Sequence, residues 1–123
     1  MVEVAVGTLL VLSVVATFAV APTQGTTAQL DAYAADALTA LDAEPPVGAG
    51  ATRLTALTRS AAAVDRERAA AEARLDDLLP PTVSFRVSTP HGSFGAPRPR
   101  SAPTGRATAV THHGRLTVRV WYV

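Results

Sequence analysis

The sequence contains no cysteine, no lysine, no isoleucine and no asparagine. Without cysteine there is no disulfide, no cysteine-ligated metal centre and no thiol nucleophile. A domain built this way must hold together by packing alone. Without asparagine there is no Asn-X-Ser/Thr acceptor for glycosylation. The joint absence of Lys, Ile and Asn beside abundant Ala, Val and Arg fits codon economy in a GC-rich genome. Aromatic residues are scarce, with three Phe, two Tyr and one Trp, which leaves little for stacking on nucleic-acid bases. Phosphate-binding loops and Gly-rich dinucleotide fingerprints are also missing, and no serine has a base pattern nearby. These absences exclude nucleotide and thiol chemistry, and no enzyme, cofactor or nucleic-acid partner is expected.

Acid is missing from one end. Residues 1–77 carry ten acids and five arginines, a net −5, whereas residues 78–123 carry six arginines and no acid, a net +6. Two readings of that asymmetry are open. A basic sheet packs against an acidic helical layer within one molecule, or a basic face meets an acidic partner. The second makes Arg86, Arg98, Arg100, Arg106, Arg115 and Arg119 the candidate binding face. His91, His112 and His113 are the only histidines. His112 and His113 are neighbours, which in a strand would send them to opposite faces. All three are expected to be solvated turn residues, and no metal site is expected.

One long apolar run is present. From Val4 to Ala21 there is no charge, and ten of the eighteen residues are Val, Leu or Phe. As a helix it measures about 27 Å, against roughly 30 Å of bilayer hydrocarbon. It is therefore expected to be a single transmembrane anchor over residues 1–21. Ala19-Val20-Ala21 fits a signal-peptidase site. The opening Met1-Val2-Glu3, with an acid in place of Lys or Arg, and Pro22 after the cut favour retention. No nearby arginine sets the orientation.

Residues 22–27, Pro-Thr-Gln-Gly-Thr-Thr, read as a juxtamembrane break, and residues 28–123 as an α+β domain outside the membrane. Leu30, Ala34, Ala37, Leu38 and Leu41 recur at helical spacing within Gln29–Glu44, and Pro45-Pro46 ends that helix. A second helical stretch, about Thr52–Leu79, carries Leu54, Leu57, Ala61, Val64, Arg68, Ala71, Leu75 and Leu78 at alternating intervals of three and four. Ser60 can cap a fresh start inside it. After Pro80-Pro81 the period changes to two: Val83, Phe85 and Val87 alternate with Ser84, Arg86 and Ser88. Leu116, Val118, Val120 and Tyr122 alternate in the same way. Ala107–Thr111 is a weaker strand, joined to the last by a tight turn at His112-His113-Gly114. Gly95–Gly105, with three prolines, reads as an exposed extended arm. The expected fold class is α+β: an N-terminal transmembrane helix, two further helical stretches, then a small three-stranded antiparallel sheet.

Two resemblances add to this reading. Val2-Glu3-Val4-Ala5-Val6-Gly7, leading into a Val/Leu run, resembles the N-terminal core of type IV pilins, in which one glutamate precedes a hydrophobic helix. Several segments spanning nearly the whole chain in order resemble a family of small uncharacterised haloarchaeal membrane proteins. They are Ala28–Asp36, Gly50–Leu54, Arg66–Ala70, Leu78-Leu79-Pro80, Phe85–Gly92 and Val118–Tyr122. The pilin pattern has a basic stretch and a processing site before its glutamate, and this sequence has neither. The resemblance implies a pilin-like, single-pass component of the cell envelope, its domain extracytoplasmic, with Glu3 as an assembly residue contacting pilin-like subunits. The alternative, from the residues themselves, is a secreted or tethered module whose basic face holds an acidic polymer or surface protein.

Overall fold

The computed structural model describes residues 25–123. The expected anchor over residues 1–21, Glu3 and the start of the break at residues 22–24 lie outside them. Among the described residues no helix is long and apolar enough to cross a membrane. The fold is α+β, but the expected element count is corrected on two points. The helical part is three helices: α1 (Gly25–Ala43), α2 (Arg53–Arg59) and α3 (Ala61–Leu78). The sheet has four strands rather than three: β1 (Val83–Thr89), β2 (Gly92–Gly95), β3 (Gly105–Thr111) and β4 (Gly114–Tyr122).

The helix count changes because Ser60 takes up the capping role its sequence allows. Its backbone is extended (φ −164°, ψ 164°) and its hydroxyl accepts the Ala63 N–H at 3.1 Å. An N-cap of this kind satisfies one orphan donor and restarts the chain as a new helix. Thr52 caps α2 in the same way, accepting from the Thr55 N–H. The three-four stripe is thus broken at Ser60. Ala61 and Arg68 are exposed, while Ala63, Val64, Glu67, Ala71 and Leu75 face inward on α3. At the other end, α1 starts at Gly25, so the last residues of the expected break are helix.

The extra strand is short. β2 carries one inward apolar residue, Phe94, which is too little to show as alternation. It pairs with β1 through a turn at Pro90-His91, and the sheet order is β2-β1-β4-β3, antiparallel throughout. Two hairpins therefore lie side by side, and their turns are built alike. Thr89-Pro90-His91-Gly92 and Thr111-His112-His113-Gly114 share a Thr-X-His-Gly pattern. In each, the threonine hydroxyl accepts the histidine N–H, at 3.1 Å and 3.0 Å, and approaches the glycine carbonyl. Gly92 and Gly114 take φ of +151° and +136°, which a side chain disfavours.

The helices cover one face of the sheet. Leu30, Ala34, Ala37 and Leu41 of α1, Leu54 and Leu57 of α2, and Val64, Ala71 and Leu75 of α3 form one core with Val83, Phe85, Val87, Phe94, Leu116, Val118 and Val120. Fully burying side chains of this size gives about 1.5–3 kcal/mol each, which is what a disulfide-free domain has to rely on. α1 and β3 approach closely at Gly105. A Cβ on Gly105 would fall 2.2–2.4 Å from the Leu30–Asp31 backbone, so only glycine fits there. Asp31 then accepts the Arg106 N–H at 2.9 Å, and Tyr122 donates to Gln29 at 2.9 Å. These bonds fix α1 across the β3–β4 half of the sheet. Arg68, the anomalous member of the stripe, lies 5.9 Å from the Phe94 ring centroid and donates to the Ser93 carbonyl.

Candidate functional site

Because side chains alternate along a strand, everything that does not face the helices faces the other way. On β1 these are Ser84, Arg86 and Ser88; on β4, Arg115, Thr117, Arg119 and Trp121; on β3, Arg106, Thr108 and Val110. The register then decides which of them are neighbours. Arg86 is paired with Arg119, and Arg119 with Arg106, so three arginines occupy neighbouring positions across three strands. Directly opposed residues in an antiparallel pair lie about 4.5–5.5 Å apart. The next level holds Ser88, Thr117 and Thr108 in the same arrangement, with Arg115 beyond them.

The four sheet arginines of the candidate set thus converge on one surface, at positions 33 residues apart in sequence at the extremes. An open depression of about 450 Å³ lies among Arg106, Arg115, Arg119, Ser88, Thr108 and Thr117. Its lining offers cationic forks and hydroxyl donors together, the chemistry that holds carboxylate, phosphate or sulfate oxygens. Arg86 is partly engaged, reaching the Gly95 and Ala96 carbonyls at 3.4 Å each. Arg98 and Arg100 are exposed on the segment that joins β2 to β3. Although it points away from the helices, Trp121 is only 3% exposed.

This placement separates the two readings of the charge asymmetry. The ion pairs found among the described residues join Glu44 and Glu67 to Arg53, Arg66 and Arg74, all within the helical part. None involves a sheet arginine. The layers meet mainly through apolar side chains, with a few polar bonds such as that from the Arg106 N–H to Asp31, and the arginine side chains stand on the sheet face away from the helices. Acidic and basic surfaces are therefore presented on opposite sides of one molecule.

Glu67 is a further buried group that the sequence reading did not single out. Its side chain is fully buried. It accepts the Val47 N–H at 2.8 Å and the Gly48 N–H at 2.9 Å, with Arg53 Nε at 3.4 Å. Burial on its own raises the pKa of such a carboxyl. The two backbone donors and the Arg53 guanidinium outweigh it and hold Glu67 below its ordinary value of 4.5. The bonds it accepts from these two backbone donors pin the loop after Pro45-Pro46 to α3.

All three histidines are exposed turn residues, as expected. His112 and His113 occupy a turn, with ring centroids 4.3 Å apart. His91 sits in the other turn at the same end of the sheet, where a Cβ on Gly114 would meet the Pro90 ring at 2.6 Å. Among the described residues no group of three metal-ligating side chains is close enough to hold an ion.

Comparison with known proteins gives one result. The chain belongs to a family of unknown function (DUF7262), whose model matches residues 1–122. No curated protein and no solved structure matches it.

Proposed function

Since membership of that family brings no activity with it, we propose from the geometry that this chain is an envelope-anchored binding module without a catalytic role. Its outer sheet face holds an acidic polymer or an acidic surface protein. The observation that carries this reading is the Arg86–Arg119–Arg106 row. Like charges placed directly opposite across strands destabilise a sheet. A fold that keeps three of them abreast, beside hydroxyls and in none of the ion pairs found among the described residues, is suited to a negatively charged partner. The uncharged run at residues 4–21 supports the anchoring, and α1 follows it closely in sequence and is docked firmly on the sheet.

The test uses the full chain in detergent or lipid vesicles, with polyaspartate as the acidic probe. Binding should weaken steeply as salt is raised, since these arginines are at least partly solvated. Arg119→Gln should reduce affinity by about fivefold to tenfold, roughly 1–1.4 kcal/mol. Replacing both Arg98 and Arg100 with Gln should reduce it further and leave the fold intact. Binding indifferent to salt and to these substitutions would remove the basic face from consideration. Retention with membranes in carbonate tests the anchor, which a mature N-terminus at Pro22 would reject.

A second reading, a pilin-like assembly role, is favoured by one observation: Glu3 immediately precedes the apolar run. There its carboxylate would pair with the terminal ammonium of a neighbouring subunit, where losing one partner leaves an uncompensated charge. Glu3→Gln keeps the size and removes the charge. The variant should reach the membrane yet fail to crosslink with pilin-like partners, and unchanged association would end this reading.

A further inference from the structure

The acids of α3 are arranged as deliberately as the arginines of the sheet. Asp65, Glu72 and Asp76 are spaced by seven and four residues, which puts them on one stripe of the helix. Asp65 and Asp76 are exposed and Glu72 is half-buried. The ion pairs found among the described residues include none of the three. The last turn of α3 carries Asp76 and Asp77 and no basic residue, so these acids sit at the end where the helix dipole is already negative. Beside them lies a cleft of about 430 Å³. Glu72 and Asp76 stand on one side of it, and Leu79, Pro80, Val83 and Phe85 give it apolar walls. A carboxylate-rimmed cleft with apolar walls suits a guanidinium on an aliphatic stem.

The same molecule therefore carries an unpaired acidic stripe on its helical side and an unpaired basic face on the far side of its sheet. It cannot bring the two together by itself. We propose that the basic outer face of one copy docks on the acidic stripe of α3 in a second copy, head to tail. This rests on the binding-face reading above and names its partner. The charge arrangement also excludes the alternative symmetry. Because the acidic and basic surfaces lie on opposite sides of the molecule, a two-fold contact made by the basic face would hold no acidic stripe and would press one arginine row against another. A heterologous contact instead leaves one free acidic stripe and one free basic face at its ends, so that copies add in a row. Arg86, Arg106 and Arg119 supply the row, and Arg98 or Arg100 on the exposed segment reaches the cleft.

Absence of native cysteine makes the test clean. Ala69, exposed within the acidic stripe, and Thr108, exposed beside the arginine row, are changed to Cys in separate full-length chains. The two chains are mixed in vesicles and oxidised. Disulfides between the Ala69→Cys and Thr108→Cys chains should exceed either self-crosslink by about tenfold, the ratio given by 1.4 kcal/mol of preference. They should vanish near 1 M salt, where the screening length is about 3 Å. Adding Arg119→Glu to the Thr108→Cys chain should abolish them, and adding Glu72→Arg to its partner should restore them. Self-crosslinks that equal or exceed the mixed product overturn the head-to-tail contact, as does a mixed product that survives charge reversal. If the contact fails while polyaspartate still binds in a salt-dependent way, only this inference falls. If both fail, the binding-face reading falls with it.

Discussion

Glu67 offers the sharpest check on how the helical part is assembled, because one carboxylate holds a loop, a helix start and its own helix together. Glu67→Ala removes an acceptor from two backbone N–H groups, at 2.8 Å and 2.9 Å, and from the Arg53 guanidinium. Hydrogen bonds to a charged group contribute about 1.5–3 kcal/mol each. Full loss of the two backbone bonds would thus cost up to about 6 kcal/mol. The discount is set by the loop: Val47 and Gly48 are exposed, so water replaces part of what is lost. Arg53 also keeps Glu44 as a partner. The expected loss is about 2–4 kcal/mol, a large share of a small domain's stability. Urea denaturation followed by Trp121 fluorescence measures it, since that single tryptophan is buried in the sheet. The pH dependence is an independent arm. The Glu67 pKa is lowered on folding, so its contribution is complete well above 4.5 and is lost as pH falls through the folded value. Glu67→Gln lacks that increment, and its stability gap from the unsubstituted chain should narrow between neutral pH and about pH 3. A loss below about 0.5 kcal/mol for Glu67→Ala, or a gap that ignores pH, would refute the assignment of Glu67 as the anchor of the loop.

Three further outcomes follow from packing and charge. Leu75→Ala, at a fully buried site between α3 and the sheet, should cost about 2–5 kcal/mol in the same urea assay. Gly105→Ala should cost about 1–3 kcal/mol, because the added methyl forces α1 away from β3 and disturbs the Asp31–Arg106 bond. Hydrogen exchange should then show faster opening at the start of α1. Arg119→Gln should leave thermal stability unchanged or slightly higher while it weakens polyaspartate binding, because it relieves like-charge opposition within the sheet. A clear drop in melting temperature would mean that Arg119 serves packing instead.

Sequence periodicity exposed the elements that bury many side chains and missed those that bury few. α1 was legible from Leu30, Ala34, Ala37 and Leu41, and β1 and β4 from their alternation, because each buries a full row. β2 was not, since one inward residue leaves no period to detect. Its signal lay elsewhere, in the second occurrence of Thr-X-His-Gly, which marks both turns with the same local hydrogen bonds. The division of the long helical stretch was legible at Ser60 as an option, but sequence alone does not decide whether a mid-stripe serine caps or merely faces solvent. Glu67 was hidden for a related reason. Flanked by Arg66 and Arg68, it looks like part of a solvated charge run, and only the return of residues 47–48 over α3 makes it a buried acceptor.

The basic face shows what linear reading can and cannot supply. Six arginines with no acid after Asp77 mark a basic half of the chain, but composition is silent on whether those charges meet the helical acids. Register settles that point. A shift of one residue between β1 and β4 would turn Arg86 inward, where Val87 now contributes to the core, so the hydrophobic pattern that fixes the strands also fixes the arginines outward. Their alignment into a row then follows from the sheet order, because β4 lies between β1 and β3 and puts Arg119 between Arg86 and Arg106. The charge asymmetry of the chain becomes an asymmetry of surfaces, with an apolar core between them that keeps the two signs apart. Each surface is thereby left with a charge that another molecule can satisfy, and this separation is the physical basis for both the binding face and the head-to-tail contact.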